Sequence, residues 1–170
     1  MTLCTGNAVR SVMVGFMLVH WGQRLGRPLR VLSAGTHVIE GLPMSMRTRA
    51  ALASIPALGE LAVAAHRSQQ LAERHLVGAH LVLGMEADHV RFVRAHHAEA
   101  AARCATLKRL SLDLEAGDEP LGQRVAALAL AGQPLDPTED VADPAGGDVE
   151  TYIACAAELW LLTERLARRL

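Results

Sequence analysis

Short apolar runs alternate with amphipathic stretches along the chain, and the two kinds of segment predict strands and helices in turn. Met1–Leu3 reads as the end of a strand. Ser11 to about Leu25 reads as a helix with Met13, Phe16, Met17 and His20 on one face, stopped by Gly26 and Pro28. Leu29–Ser33 reads as a second strand. Ser45 is placed to cap a helix from Met46 to about Ser54, and Pro56 and Gly59 mark the turn after it. Leu61–Ala65 suggests a short extended piece, and Ser68–Arg74 one or two helical turns. Ala79–Met85 is the clearest buried strand, short, apolar and ended by Gly84. A helix from Glu86 to about His97 follows, then a fourth strand at Cys104–Leu107. Lys108–Leu114 fits more than one reading, and Leu121–Ala131 predicts a helix. Gln133–Gly147 is a loop rich in proline and glycine. Asp148 caps a last helix to about Leu170, with Ile153, Ala156, Ala157, Trp160, Leu161 and Leu166 expected on its inner side.

Strands alternating with helices predict an α/β fold: a doubly wound parallel sheet with right-handed crossovers and helices on both faces. The 170 residues suit a single domain spanning 1–170. In such sheets ligands sit beyond the carboxyl ends of the strands. Met1–Leu3 leads directly into a strand-to-helix loop at that end.

Composition narrows the chemistry. A net charge of −1 excludes an electrostatic footprint for nucleic acid. Three widely spaced cysteines, Cys4, Cys104 and Cys155, make no disulfide framework and suit a reducing, cytoplasmic setting. The apolar run Val12–Val19 follows Arg10 as a secretion signal would, but it lacks a small-x-small cleavage site and is too short to span a bilayer. No membrane association is expected.

The candidate chemistry lies in Cys4-Thr5-Gly6-Asn7-Ala8-Val9-Arg10-Ser11. A thiol beside a helix N-terminus and a guanidinium is favoured as the thiolate, which is the nucleophilic form. Backbone N–H groups from Thr5 to Arg10 can wrap an anion, and the planar fork of Arg10 fits two phosphate oxygens at once. Against this stands the plain alternative of a buried cysteine with an unrelated surface arginine, since C-x5-R alone is not specific. A phosphate ester also needs its leaving oxygen protonated, and Asp143-Pro144 is the best-placed carboxyl for that work. Asp136-Pro137 is a rival, while Glu139 and Asp140 read as solvated loop charges. His89, His96 and His97 read as an exposed helix face rather than a metal site.

The ordered set Cys4–Ser11, Ser33-Ala34-Gly35-Thr36, Gly41–Ser45, His66-Arg67-Ser68, Leu81–Met85 and Asp143–Gly147 with Tyr152 resembles the low-molecular-weight protein tyrosine phosphatase family, arsenate reductase-like members included. The resemblance covers nearly the whole chain. It implies a four-stranded sheet of order 2-1-3-4 and a phosphotyrosine or aryl phosphate phosphatase that needs no metal or cofactor. The implied partners are a phosphorylated protein or a small aryl phosphate, with the oligomeric state open. By position, Cys4 would attack phosphorus and Arg10 would hold its oxygens together with the loop residues Thr5, Gly6, Asn7, Ala8 and Val9. Asn7 would shape the loop, Ser11 would hydrogen-bond the thiolate, and Asp143 would serve as acid and then base.

Departures from the family pattern keep two alternatives open, a non-catalytic phosphate-binding module and a thiol-dependent arsenate reductase. Val9 stands where a second cysteine is usual, so no vicinal disulfide can form, and Cys104 and Cys155 are expected in the core. Val12 replaces a proline. Ala145 stands where an aromatic residue commonly lines the slot for a phosphotyrosine ring. A central strand of three residues is expected to leave its neighbours unpaired. Either residues precede Met1 or the chain folds poorly, and the intact Cys4, Arg10, Ser11 and Asp143 favour the former.

Overall fold

The computed structural model describes residues 1–58 and 65–170. The extended piece expected at Leu61–Ala65 therefore falls, but for Ala65, outside the described residues. Four parallel strands, β1 (Thr2–Cys4), β2 (Ser33–Gly35), β3 (Val82–Gly84) and β4 (Cys104–Thr106), lie in the order β2-β1-β3-β4. Around them pack α1 (Arg10–Arg24), α2 (Met46–Ala53), α3 (Glu73–Leu76), α4 (Ala87–His96), α5 (Leu107–Asp113), α6 (Leu121–Ala127) and α7 (Val149–Ala167). This is the doubly wound α/β sheet that the alternation predicts.

Strand side chains alternate between two apolar cores, as the period of two requires. Cys4, Leu83 and Ala105 face a larger core shared with α1, α2, α5 and α7. Leu3, Ala34, Val82 and Cys104 face a smaller one closed by Leu71, Leu76, Val90, Val93 and Ala100. Both faces of β1 are covered, and Leu3 is fully buried.

The short first strand does not leave its neighbours unpaired. Thr2–Cys4 pairs with Ser33–Gly35 on one side, and Thr2 and Leu3 pair with Leu83 and Gly84 on the other. Each neighbouring strand also spans three residues, so three suffice for the pairing. The Met1 amino group donates to the Leu81 carbonyl at 3.0 Å, and the Leu83 N–H to the Met1 carbonyl at 2.9 Å.

Several predicted elements shift. The second strand begins at Ser33 rather than spanning Leu29–Ser33, because Ser33–Gly35 is the stretch in register with β1. Ser68–Arg74 is not helical at its start. Gln70 bridges to Gly35, and the helical turn is Glu73–Leu76. The Leu121–Ala131 helix ends at Ala127 and a 3-10 turn follows at Leu130–Gly132. Ala129 enters that turn with left-handed backbone.

The last helix is rotated relative to its expected face. Tyr152, Cys155, Ala156, Leu159, Thr163 and Leu166 are buried at the spacing of one helical stripe, chiefly against α1. Ile153 and Leu161 are exposed instead. The phase is chosen by the partner helix and not by apolar content, since α7 carries apolar residues around most of its circumference. Leu159→Ala is expected to cost about 2–5 kcal/mol of unfolding free energy, while Leu161→Ala stays within about 0.5 kcal/mol. Chemical denaturation of the two variants measures the difference, and a helix with Leu161 on its inner side would reverse it.

Candidate active site

The loop from Cys4 to Arg10 joins the carboxyl end of β1 to the start of α1, with Cys4 buried at its floor. Its shape is held by Asn7, which has left-handed backbone at φ 50° and is fully buried. The Asn7 side chain donates to Ser11 Oγ at 3.1 Å and accepts from the Gln69 N–H at 3.0 Å. His66 Nε2 lies 2.8 Å from the Asn7 carbonyl, and Thr48 Oγ1 donates to the Ala8 carbonyl at 3.1 Å. Gly35 lies against the loop from below: a Cβ there would run into the Thr5 carbonyl and come within 2.9 Å of Asn7 N. The Thr36 and His37 N–H groups tie the Cys4 and Thr5 carbonyls at 3.0 Å each.

Ser11 Oγ sits 3.0 Å from Cys4 Sγ. Because Asn7 already donates to that oxygen, the hydroxyl proton of Ser11 is free to point at the sulfur. Among the described residues, no protein group accepts from the backbone N–H groups of Thr5–Val9, which stay available to an anion.

Arg10 is 1% exposed, and its guanidinium is gripped from three directions. Nη1 donates to a Glu86 carboxylate oxygen and to the Val141 carbonyl at 2.8 Å, while Nη2 pairs with Asp143 Oδ2 at 2.5 Å. The structure thus brings Cys4, Arg10, Ser11 and Asp143 to one place. Asp136, the rival carboxyl, instead accepts from its own Thr138 N–H and caps the turn Pro137–Glu139.

Glu139 and Asp140 are not solvated loop charges. Glu139 pairs with Arg109 at 2.7 Å and accepts from Thr106 at 2.7 Å, while Asp140 accepts from the Ala87 N–H at 2.6 Å. With the Val141 N–H on the Met85 carbonyl at 2.8 Å, they pin the loop that carries Asp143 to the ends of β3 and β4.

His89 departs from its expected place as well. It is 2% exposed rather than on a free face, because α4 turns it back toward the loop. Its Nδ1 accepts from the Glu86 N–H at 2.9 Å, so the neutral ring carries its proton on Nε2, which lies 3.1 Å from Thr5 Oγ1. Burial, helped by the Arg10 charge, pushes its pKa down to about 4. Burial likewise lowers His66, although its bond to the Asn7 carbonyl acts the other way. Cys104 and Cys155 lie in the core, with their thiols pushed up to about 12 and about 11 by burial.

Glu86, Thr48 and Gln69 join this site although the sequence does not single them out, while Gly35 belongs to the Ser33–Thr36 motif already noted. For Glu86 a signal exists: an acidic residue directly after the best buried strand, at the end where sheet ligands sit. Among the described residues, no cluster of three or more His, Cys, Asp or Glu is placed to hold a metal.

A four-stranded parallel sheet of order β2-β1-β3-β4, with a loop from a cysteine to an arginine at its carboxyl end, is the arrangement to set beside known proteins. The sequence model of the low molecular weight phosphotyrosine protein phosphatases matches residues 1–118, and the chain belongs to that family. It is 31% identical over 168 residues to a protein-arginine-phosphatase of Geobacillus stearothermophilus, covering 99% of this chain and 93% of the relative. The solved low molecular weight protein tyrosine phosphatase of T. tengcongensis superimposes with a TM-score of 0.78 at 28% identity, covering 99% of this chain and 97% of that one. A solved arginine phosphatase of G. stearothermophilus gives 0.73 at 31% identity over 98% of this chain and 88% of that one. No helix among the described residues is long and apolar enough to cross a membrane.

The neutral, buried His89 makes stability pH-dependent with a definite sign. The unfolded chain protonates this ring near 6.5 and the folded chain only near 4, so the unfolded state binds the extra proton between those values. Its contribution is complete above pH 6.5 and is lost as pH falls toward 4, a change on the order of 3 kcal/mol. His89→Gln should flatten that part of the stability–pH curve in urea titrations. An unchanged slope would mean that His89 is not held neutral.

Proposed function

We propose that the chain is a protein phosphatase that hydrolyses phosphotyrosine and related aryl phosphate monoesters through a cysteinyl-phosphate. What supports the reading is the convergence of Cys4 Sγ, Ser11 Oγ, the Arg10 guanidinium and the Asp143 carboxyl at the mouth of one anion loop. The Cys4 thiolate forms an S–P bond as the P–O bond to the leaving group breaks. Asp143 gives its proton to that oxygen. Arg10 and the loop N–H groups of Thr5, Gly6, Asn7, Ala8, Val9 and Arg10 hold the equatorial oxygens, whose charge needs stabilising throughout transfer. Water then attacks phosphorus, Asp143 takes its proton, and the S–P bond breaks to return thiolate and inorganic phosphate. The Ser11 hydroxyl stabilises the sulfur as it departs.

One observation favours a second substrate. The relative at 31% identity is a protein-arginine-phosphatase, and the same loop would serve a phosphoguanidinium, whose leaving nitrogen also needs a proton. Ala145, exposed beside Asp143, presents no aromatic wall to select a tyrosine ring. Paired peptides carrying phosphotyrosine or phosphoarginine at one position separate the two by kcat/KM.

The wild-type chain should hydrolyse a small aryl phosphate, and Cys4→Ser should remove all turnover. Activity retained in Cys4→Ser would sink the thiol mechanism. Folded wild-type protein that binds vanadate without turnover would point to the non-catalytic module, and thiol-dependent arsenite release to the reductase.

The resting Asp143–Arg10 pair yields a separate expectation. Asp143→Asn should lower kcat by roughly 10²–10⁴ yet bind inorganic phosphate several-fold more tightly, because the arginine loses a competing anion. Isothermal titration with phosphate tests this, and weaker binding would refute the competition.

A further inference from the structure

Beside the anion loop, toward α4, lies a groove enclosing about 460 Å³. Thr5, Glu86 and His89 belong to both the loop surroundings and the groove. Beyond them the walls are Thr36 and His37 from the end of β2 and the α4 face carrying Phe92 and His96. Phe92 is half-buried, with its ring 5.7 Å from His37 in an edge-on arrangement and 4.5 Å from His96.

Several polar groups around this ring are already engaged. Asp88 and Arg91 at the rim pair with each other, Glu86 grips Arg10, and both His89 nitrogens have partners within the protein. What faces the groove is therefore an aromatic ring framed by two imidazoles, a surface that suits ring stacking and apolar contact more than charge recognition.

Continuity decides the occupant. Thr5, the residue directly after Cys4, lines the groove, so a molecule with its phosphate on the loop reaches the groove by extending sideways. A small aryl phosphate has nothing to extend. A polypeptide does: successive Cα atoms are about 3.8 Å apart, so a residue one or two places from the phosphorylated one falls within reach.

We propose that this groove is a specificity subsite that receives an aromatic or large aliphatic residue flanking the phosphorylated residue of a protein substrate. The proposal rests on the phosphatase reading and names the kind of protein that the site accepts.

Two pairs of peptides test it. One carries phosphotyrosine and the other phosphoarginine, and within each pair the flanking positions on both sides are Phe or Gly. Wild-type kcat/KM should favour the Phe peptide of the accepted pair by roughly tenfold, the scale of burying one large side chain. Phe92→Ala should erase that preference and leave kcat/KM for a small aryl phosphate within about twofold. Equal rates for Phe and Gly peptides in the wild type would overturn the proposal, as would an equal loss on aryl phosphate and peptide in Phe92→Ala.

Anisotropy with the same peptides, comparing Cys4→Ser with Cys4→Ser/Phe92→Ala, separates this from failure of the phosphatase reading. If the wild type turns nothing over but the Phe peptide still binds Cys4→Ser more tightly and the double variant does not, only the catalytic reading falls. If binding shows no preference either, the subsite falls.

Discussion

The buried guanidinium of Arg10 is the constraint on which the rest of the site depends. A cation withdrawn from water is costly unless charge and hydrogen bonds compensate it. Here the compensation comes from Glu86, the Val141 carbonyl and Asp143, on two segments far from Arg10 in sequence. The end of β1, the β3–α4 junction and the loop before α7 must therefore meet at one point. Asp143, the carboxyl proposed to act on a leaving group, is one of the two that pair with the arginine at rest, so a bound phosphate would take over part of that task.

A second layer keeps the loop in the shape an anion needs. Asn7 supplies the left-handed residue and commits its side chain to Ser11 and Gln69, while Gly35 leaves room for the loop backbone to lie against β2. His89 is kept neutral and, from the first turn of α4, addresses Thr5. These groups keep the N–H groups of the loop and the hydroxyl of Ser11 from finding partners that would collapse the cradle. Glu139 and Asp140 do the equivalent for the acid-bearing loop by fastening it to Arg109, Thr106 and the start of α4.

Membership of the low molecular weight phosphotyrosine protein phosphatase family leaves the substrate open, since a relative at 31% identity is a protein-arginine-phosphatase. The loop is tied by hydrogen bonds to Gln69, Thr36, His37 and Thr48. The surfaces proposed to select a side chain are Ala145 on one side and the Phe92 groove on the other, each attached to a carboxylate that pairs with Arg10.

Residues that are neighbours in the chain are legible from the sequence alone. Cys4, Asn7, Arg10 and Ser11 lie within one loop and the first turn of a helix, where spacing by itself fixes their mutual reach. Asp143-Pro144 stands out as a stiffened acidic loop, and the alternation of apolar and amphipathic segments determines a parallel α/β sheet. What spacing does not decide is everything set by distant partners. The edge of β2 lies at Ser33 because register with β1 selects it. The buried face of α7 follows α1, and His89 turns inward because the loop offers it Thr5. Glu86 meets Arg10 across 76 positions of chain. A sequence determines local geometry and chemical type directly, but burial and pairing between remote segments depend on which surfaces pack together. That choice is made by the whole core at once, and only the tertiary structure records it.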